Sequence, residues 1–291
     1  MAGGGSTLLL TALAMVAFAA NSLLCRLALV DPTIDPASFT AVRLVAGAVT
    51  LALLVALRGG GKNLIAAGSW RSAAALFGYA IAFSFAYVTL GASTGALILF
   101  GAVQMTMIGV GLARGERLGV LQWTGALVAV GGLAYLLAPG LHAPSPIGAA
   151  LMAGAGVAWG SYSLFGRSAR SQRFEPTTTT AGNFLRAAPV ALLVIPFMPA
   201  LTLSAHGVTL AIASGAIASG LGYAVWYSAL KGLRASEAAI VQLTVPVIAA
   251  AGAILFLSEA LTLRFALASV AILGGVALVL VAQTRTNASK R

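Results

Sequence analysis

Apolar residues run through this chain in long unbroken blocks, and charged or turn-forming residues gather in the short stretches between them. Ten such blocks are read, at 7–28, 36–57, 71–90, 94–113, 119–137, 146–165, 176–198, 209–230, 236–257 and 263–282. Each holds about 20 residues, the length at which a helix rising 1.5 Å per residue crosses a hydrocarbon layer about 30 Å thick. The pattern predicts an all-α membrane protein of ten transmembrane helices. The first block reads as a span and not as a cleavable leader, because Met1 to Leu10 has no basic region and no clear small-residue cleavage site follows. Composition agrees: 60% of the residues are hydrophobic and 8% are charged, against about 25% charged in a soluble domain. An ordinary soluble globule is excluded.

The blocks repeat. Glu116, Leu118, Gly131 and Gly132 recur as Glu259, Leu261, Gly274 and Gly275, an offset of about 143 residues, and the same register pairs Ser93 with Ser236, Ala86 with Ala229 and Arg43 with Arg186. Residues 1–140 and 141–291 are therefore read as two five-helix repeats. Five crossings is an odd number, so the second repeat is expected upside down relative to the first, the inverted plan used by secondary transporters.

Lys and Arg set the expected orientation. Thirteen of the 17 fall in 58–71, 114–117, 167–173, 231–234 and 285–291, all on the side of the N-terminus if the blocks alternate. Both termini are expected in the cytoplasm, at a bacterial inner membrane. The formal charge of +11 then reports topology, and no nucleic-acid partner is expected. The partners read from the chain are the lipid bilayer and a small-molecule substrate. The oligomeric state stays open, and a monomer suits the pattern.

Several chemistries drop out. Gly59-Gly60-Gly61-Lys62-Asn63 lacks the upstream glycine spacing and the hydroxyl after Lys of a phosphate-binding loop, and reads as a flexible link. No link is long enough for an ATPase domain. His142 and His206 fall in outer links and Cys25 in the first span, so no disulfide and no zinc set can be built within one chain. No cofactor, metal site or enzymatic activity is expected. The six acids Asp31, Asp35, Glu116, Glu175, Glu237 and Glu259 all lie at or just beyond span ends. Proton-driven carriers hold a titratable group at depth, so a facilitative or weakly proton-coupled carrier is expected.

Arg43 and Arg186 are the charges placed within spans. Each is expected to cost about 2.5–3.5 kcal/mol on insertion unless it faces a cavity, a partner or the interface. Capture of a substrate carboxylate and a structural role are both open: Arg43 lies about two turns from the outer end and could snorkel, and Pro189 frees the carbonyl of Leu185 near Arg186. Better candidates for a binding cavity are aromatic and polar faces. Trp159, Tyr162, Ser163 and Gly166 share one helix face, and Phe18, Asn21, Ser22 and Cys25 form the matching face of the first repeat. Tyr223, Trp226 and Tyr227 stand opposite Phe83, Ser84 and Tyr87. Gln104, Gln242 and Thr244 add hydrogen-bonding groups, and Pro246 is placed to bend the ninth span and act as a hinge. The pairs Gly131-Gly132 and Gly274-Gly275 predict that the fifth and tenth spans pack closely and serve as scaffold or oligomer contact.

Twin five-span repeats, an Arg in the second span of each, and the phrase from Glu116 to Gly132 echoed by Glu259 to Gly275 resemble the drug/metabolite transporter superfamily, and within it the EamA-type exporters. The resemblance covers essentially the whole chain. It implies an inner-membrane carrier of about ten helices that exports amino acids, aromatic ones included, or related metabolites by alternating access. The basic 167–175 link departs from the Trp-rich entry of some members, which leaves the substrate range open. A carrier of phosphorylated or nucleotide-sugar-type metabolites using Arg43 and Arg186, and a non-transporting membrane protein, are the alternatives.

Overall fold

The computed structural model describes residues 4–31, 33–115, 117–140, 143–166, 173–233 and 235–288; Glu116, His142, Arg167 and Arg170 lie outside the described residues. The chain forms α1 (Gly4–Val30), α2 (Pro36–Leu57), α3 (Trp70–Thr89), α4 (Ala92–Ala113), α5 (Val120–Leu137), α6 (Pro146–Phe165), α7 (Pro176–Leu192), α8 (Ala205–Ile212), a π-helical stretch (Ala213–Leu221), α9 (Gly222–Leu230), α10 (Ala235–Gln242), α11 (Thr244–Leu257) and α12 (Leu263–Ala288). Among the described residues, ten helical stretches are long and apolar enough to cross a membrane, α8 to α9 making the eighth and α10 to α11 the ninth. The protein is an all-helical, multi-pass membrane protein.

Helix starts follow from local chemistry. The first backbone N–H groups of a helix have no partner within it, and in hydrocarbon water cannot supply one. Asp35 accepts from the N–H of Ser38 at 2.8 Å, with Pro36 at the first helical position of α2. Ser69, Ser145 and Ser204 accept in the same way from Ser72, Gly148 and Gly207, the small polar cap that such positions favour. Helix α4 begins after Gly91, which has no side chain to offer. Its cap arrives from the far end of the chain: Glu259 accepts from the N–H groups of Ala92 at 2.5 Å and Ser93 at 3.2 Å, and from the Ser93 hydroxyl at 2.6 Å.

Three spans are irregular. The ninth breaks at Leu243, between α10 and α11. Pro246 sits on the third residue of α11 and cannot donate to the carbonyl of Gln242, so the bend expected of this proline falls one turn before it. The eighth span loosens into the π stretch, where Gly215 and Gly220 lie directly against α2. A Cβ on Gly215 would stand 2.2 Å from the Arg43 carbonyl oxygen. Helix α7 contains Pro189 and ends at Leu192, earlier than the span end read from the sequence; the chain continues as a 3-10 turn over Ile195–Phe197.

Helix α2 packs on α7, α3 on α6, α4 on α6 and α11, and α5 on α12, while α1 packs on the eighth span and on α11. Exchanging each of the first five spans with the one five places on turns this set of pairs into itself. The contact of α5 with α12 rests on glycine. A Cβ on Gly125 would meet the Gly275 carbonyl oxygen at 2.5 Å, and one on Gly275 would meet the Gly125 oxygen at the same distance. Gly132 is similarly tight against Ala271, whereas Gly131 and Gly274 face open space. One glycine of each pair therefore makes the close approach, because adjacent residues on a helix point about 100° apart.

Gly125→Ala and Gly275→Ala are each expected to destabilise the protein by about 1–3 kcal/mol through overpacking, whereas Gly131→Ala and Gly274→Ala leave it unchanged. Thermal midpoints of the purified protein in detergent check this; equal midpoints for all four variants would show that the helices part without cost.

Candidate functional site

A cavity of about 450 Å³ lies in the middle of the bundle. Its lining continues through Gly166, Pro176, Leu230 and Ala238, which sit at the ends of α6, α7, α9 and α10. The cavity thus reaches the end of the bundle that carries the start of α1, where Gly232 abuts Thr7. The opposite end is tied shut. Arg26 donates to the carbonyls of Tyr87 and Val88 at 2.8 and 3.1 Å, at the C-terminus of α3. Glu259 holds α4. Ile34 bridges to Leu203, and Asp35 accepts from the Thr202 N–H at 3.4 Å.

Aromatic rings build one wall. Trp159 stacks on Tyr162 and on Tyr223, each with centroids 5.3 Å apart and planes within 24° and 20°, and leans on Tyr79 at 4.9 Å. Phe18 contacts Tyr223 and Trp226 at 5.7 and 6.0 Å. Each such pair is worth about 0.5–1.5 kcal/mol beyond the area it buries, so ring contacts within the protein stabilise the wall.

Polar groups form two clusters in the cavity wall. In the first, the hydroxyls of Thr180 and Tyr227 bond at 2.8 Å, Tyr162 donates to Thr180 at 3.4 Å, and the Asn183 amide donates to Tyr162 at 3.3 Å while accepting from the Ser69 N–H at 2.9 Å. In the second, the Asn21 amide donates to the Tyr79 hydroxyl at 3.3 Å and accepts from Ser214 at 2.6 Å. Behind Tyr79 stands Arg43, only 1% exposed. Its Nη2 donates to Tyr79 at 3.0 Å and its Nε to Ser219 at 3.4 Å. Its guanidinium lies 5.0 and 5.2 Å from the ring centres of Phe83 and Tyr79, contacts worth about 2 kcal/mol when desolvated. Among the described residues no charged side chain lines the cavity.

Of the residues expected from the sequence, Asn21, Phe83, Gln104, Trp159, Tyr162, Ser163, Tyr223, Trp226, Tyr227 and Gln242 all line the cavity. Tyr87 does not. It packs edge-on against Phe83 at 4.7 Å, donates to the Ala92 carbonyl at 3.4 Å and is fully buried. Each four-residue step along a helix rises about 6 Å and turns about 40°, which carries Tyr87 into the closed end. Arg43 and Arg186, equivalent in sequence, part company in space. Arg186 donates to the carbonyls of Ile65 and Gly182 at 2.7 Å and of Ala67 at 2.6 Å, and it does not line the cavity. It holds the α2–α3 link against α7, and the carbonyls it uses are not the one freed by Pro189.

Tyr79, Thr179, Thr180, Asn183 and Ser219 line the cavity without having been singled out from the sequence. Tyr79 was within reach, one turn before Phe83. So was the run Thr177–Thr180, although threonines at a span start more often bond their own helix backbone. Ser219 carried no signal, because its place depends on the π stretch.

Residues 146–281 match the model of the EamA-like transporter family. An uncharacterized protein of Pseudomonas aeruginosa is 56% identical over 275 residues, 94% of each chain. A crystal structure of a protein 22% identical to this one aligns with a TM-score of 0.68, covering 97% of this chain and 100% of that one, so the fold is shared.

Removing the Arg186 guanidinium takes the donor from the carbonyl of Ala67, a buried loop residue. Arg186→Gln is expected to lower stability by about 1.5–3 kcal/mol, and Arg186→Lys to recover part of it. Melting of the purified protein checks this; an unchanged midpoint would mean that the link is held by other contacts.

Proposed function

The chain belongs to the EamA-like transporter family, and on that premise we propose that it is a secondary transporter that exports amino acids, aromatic ones included, and related small metabolites across a bacterial inner membrane. The observation that carries this is the cavity: about 450 Å³, walled by the stacked Trp159, Tyr162 and Tyr223, with amide and hydroxyl groups between them. That volume is within the range of small-ligand sites. An aromatic wall suits the apolar part of a substrate, and Asn21, Gln104, Ser163 and Gln242 suit its polar part.

In this reading residues 1–140 and 141–291 are inverted repeats that rock around the cavity. Three features support it: the matched residues at constant offset, an odd number of spans on each side of residue 140, and a packing pattern that survives exchange of the two halves. With both termini in the cytoplasm, as the basic links favour, the cavity reaches the cytoplasmic end and is tied shut at the other. Pro246 and the break at Leu243 follow Gln242 directly, which suits a hinge beside the substrate. The described carboxylates lie outside the cavity lining, which supports facilitative transport or weak proton coupling. The phosphorylated-metabolite alternative requires a pair of arginines at the cavity, and Arg186 is bonded to backbone carbonyls instead.

Counterflow in proteoliposomes tests the proposal. Labelled phenylalanine or tryptophan is expected to exchange, with accumulation unchanged by an imposed pH gradient and with at least tenfold loss in Trp159→Ala. Exchange of sugar phosphates alone would replace this substrate class, and no exchange of any solute would return the chain to a non-transporting role.

A further inference from the structure

We propose that this site selects its substrate by a carboxylate, read through the hydroxyls of Tyr79 and Ser219 under the charge of Arg43, and rejects cations; this rests on the carrier reading above. The charges around the cavity are out of balance. Arg43 keeps its charge under all ordinary conditions, is 1% exposed, and has no carboxylate among its partners. Its Nε and Nη2 are bonded only to neutral hydroxyls. Its Nη1 is buried with no hydrogen-bond partner. A buried charge is ordinarily paired, and among the described residues no carboxylate bonds to this one.

The hydroxyls show where an anion would sit. The Tyr79 oxygen accepts from Arg43 at 3.0 Å and from Asn21 at 3.3 Å. With two donors directed at the oxygen, its own proton points elsewhere. Ser219 likewise accepts from Arg43 at 3.4 Å and keeps its proton. Both residues line the cavity. Two donors, each polarised by one guanidinium, therefore face a cavity whose described lining carries no charge of either sign. Hydrogen bonds chained to a charged group strengthen one another in low dielectric, and donors fixed in advance suit an acceptor-only group such as a carboxylate. The same field opposes an ammonium group that lacks a carboxylate. The aromatic wall then takes the rest of the molecule, so the class is a small carboxylate with an apolar or aromatic body, and an amino group is not required.

Ser219 owes its place to the π stretch, which also seats Gly215 against the Arg43 backbone. Such irregular turns occur at functional sites, and this one brings a hydroxyl to the guanidinium across two spans.

The test measures binding to the purified protein in detergent, by quenching of Trp159 and Trp226 fluorescence, with 3-phenylpropionate, phenylalanine, phenylalaninamide and phenethylamine as probes. In the unaltered protein 3-phenylpropionate and phenylalanine are expected to bind at least tenfold tighter than the two cations. Arg43→Lys keeps most of that ratio. Tyr79→Phe, which retains the ring and its packing, reduces it about tenfold, and Arg43→Met brings it to within twofold of unity. Equal binding of the two carboxylates and the two cations, or a ratio that survives in both Tyr79→Phe and Arg43→Met, overturns the charge selection and leaves the carrier reading standing. Binding of none of the four probes overturns the carrier reading for this cavity and the inference with it.

Discussion

Every backbone N–H and C=O that enters hydrocarbon must find its partner inside the protein, because no water is there to provide one. The architecture follows from that requirement. It makes each crossing a helix, and it puts Asp35, Ser69, Ser145 and Ser204 at helix starts, where they accept the first free N–H groups. Where the local sequence has only glycine, at the start of α4, it draws a carboxylate from a residue 167 positions away, Glu259. It also explains why Arg186 reaches across to the α2–α3 link, where the carbonyl of buried Ala67 would otherwise lack this donor beside α7.

The same requirement locates the irregularities. Non-helical or loosened backbone at depth is tolerated where it is enclosed by protein or lines a cavity. The π stretch supplies Ala218 and Ser219 to the cavity and packs its glycines on α2. The break at Leu243 follows Gln242, which also lines the cavity. Two of the departures from regular structure thus lie beside the space proposed to hold substrate. Two regular spans that bind each other through Gly125 and Gly275, α5 and α12, contribute nothing to its lining.

Polarity is distributed with similar economy. Tyr and Trp dominate the cavity wall because each combines an apolar body with a polar atom that can be satisfied at one edge. Thr180, Asn183 and Asn21 satisfy those edges from neighbouring helices. Arg43 is the exception, a full charge answered only by hydroxyls and ring faces. Its sequence counterpart Arg186 is held by three backbone carbonyls, so the two equivalent positions do different work.

The crossings were legible in the chain because the bilayer imposes one rule on every span, a run of apolar residues of fixed length, and that rule is local. The chosen helix faces were legible for the same reason: Trp159, Tyr162 and Ser163 share a face through helical spacing alone. What local spacing could not tell was depth and neighbourhood. Tyr87 looked like Phe83 in sequence and fell within the closed end, since each further turn moves a side chain along the axis and around it. Arg43 and Arg186 looked alike and diverged because their neighbours come from the eighth span and from the α2–α3 link. Ser219 reached Arg43 only through the widened turn that precedes α9. Sequence by itself determined the membrane, the number of crossings and the aromatic character of the interior; tertiary structure decided which polar groups meet, because hydrogen bonds and charge interactions act over a few ångströms between residues far apart in the chain.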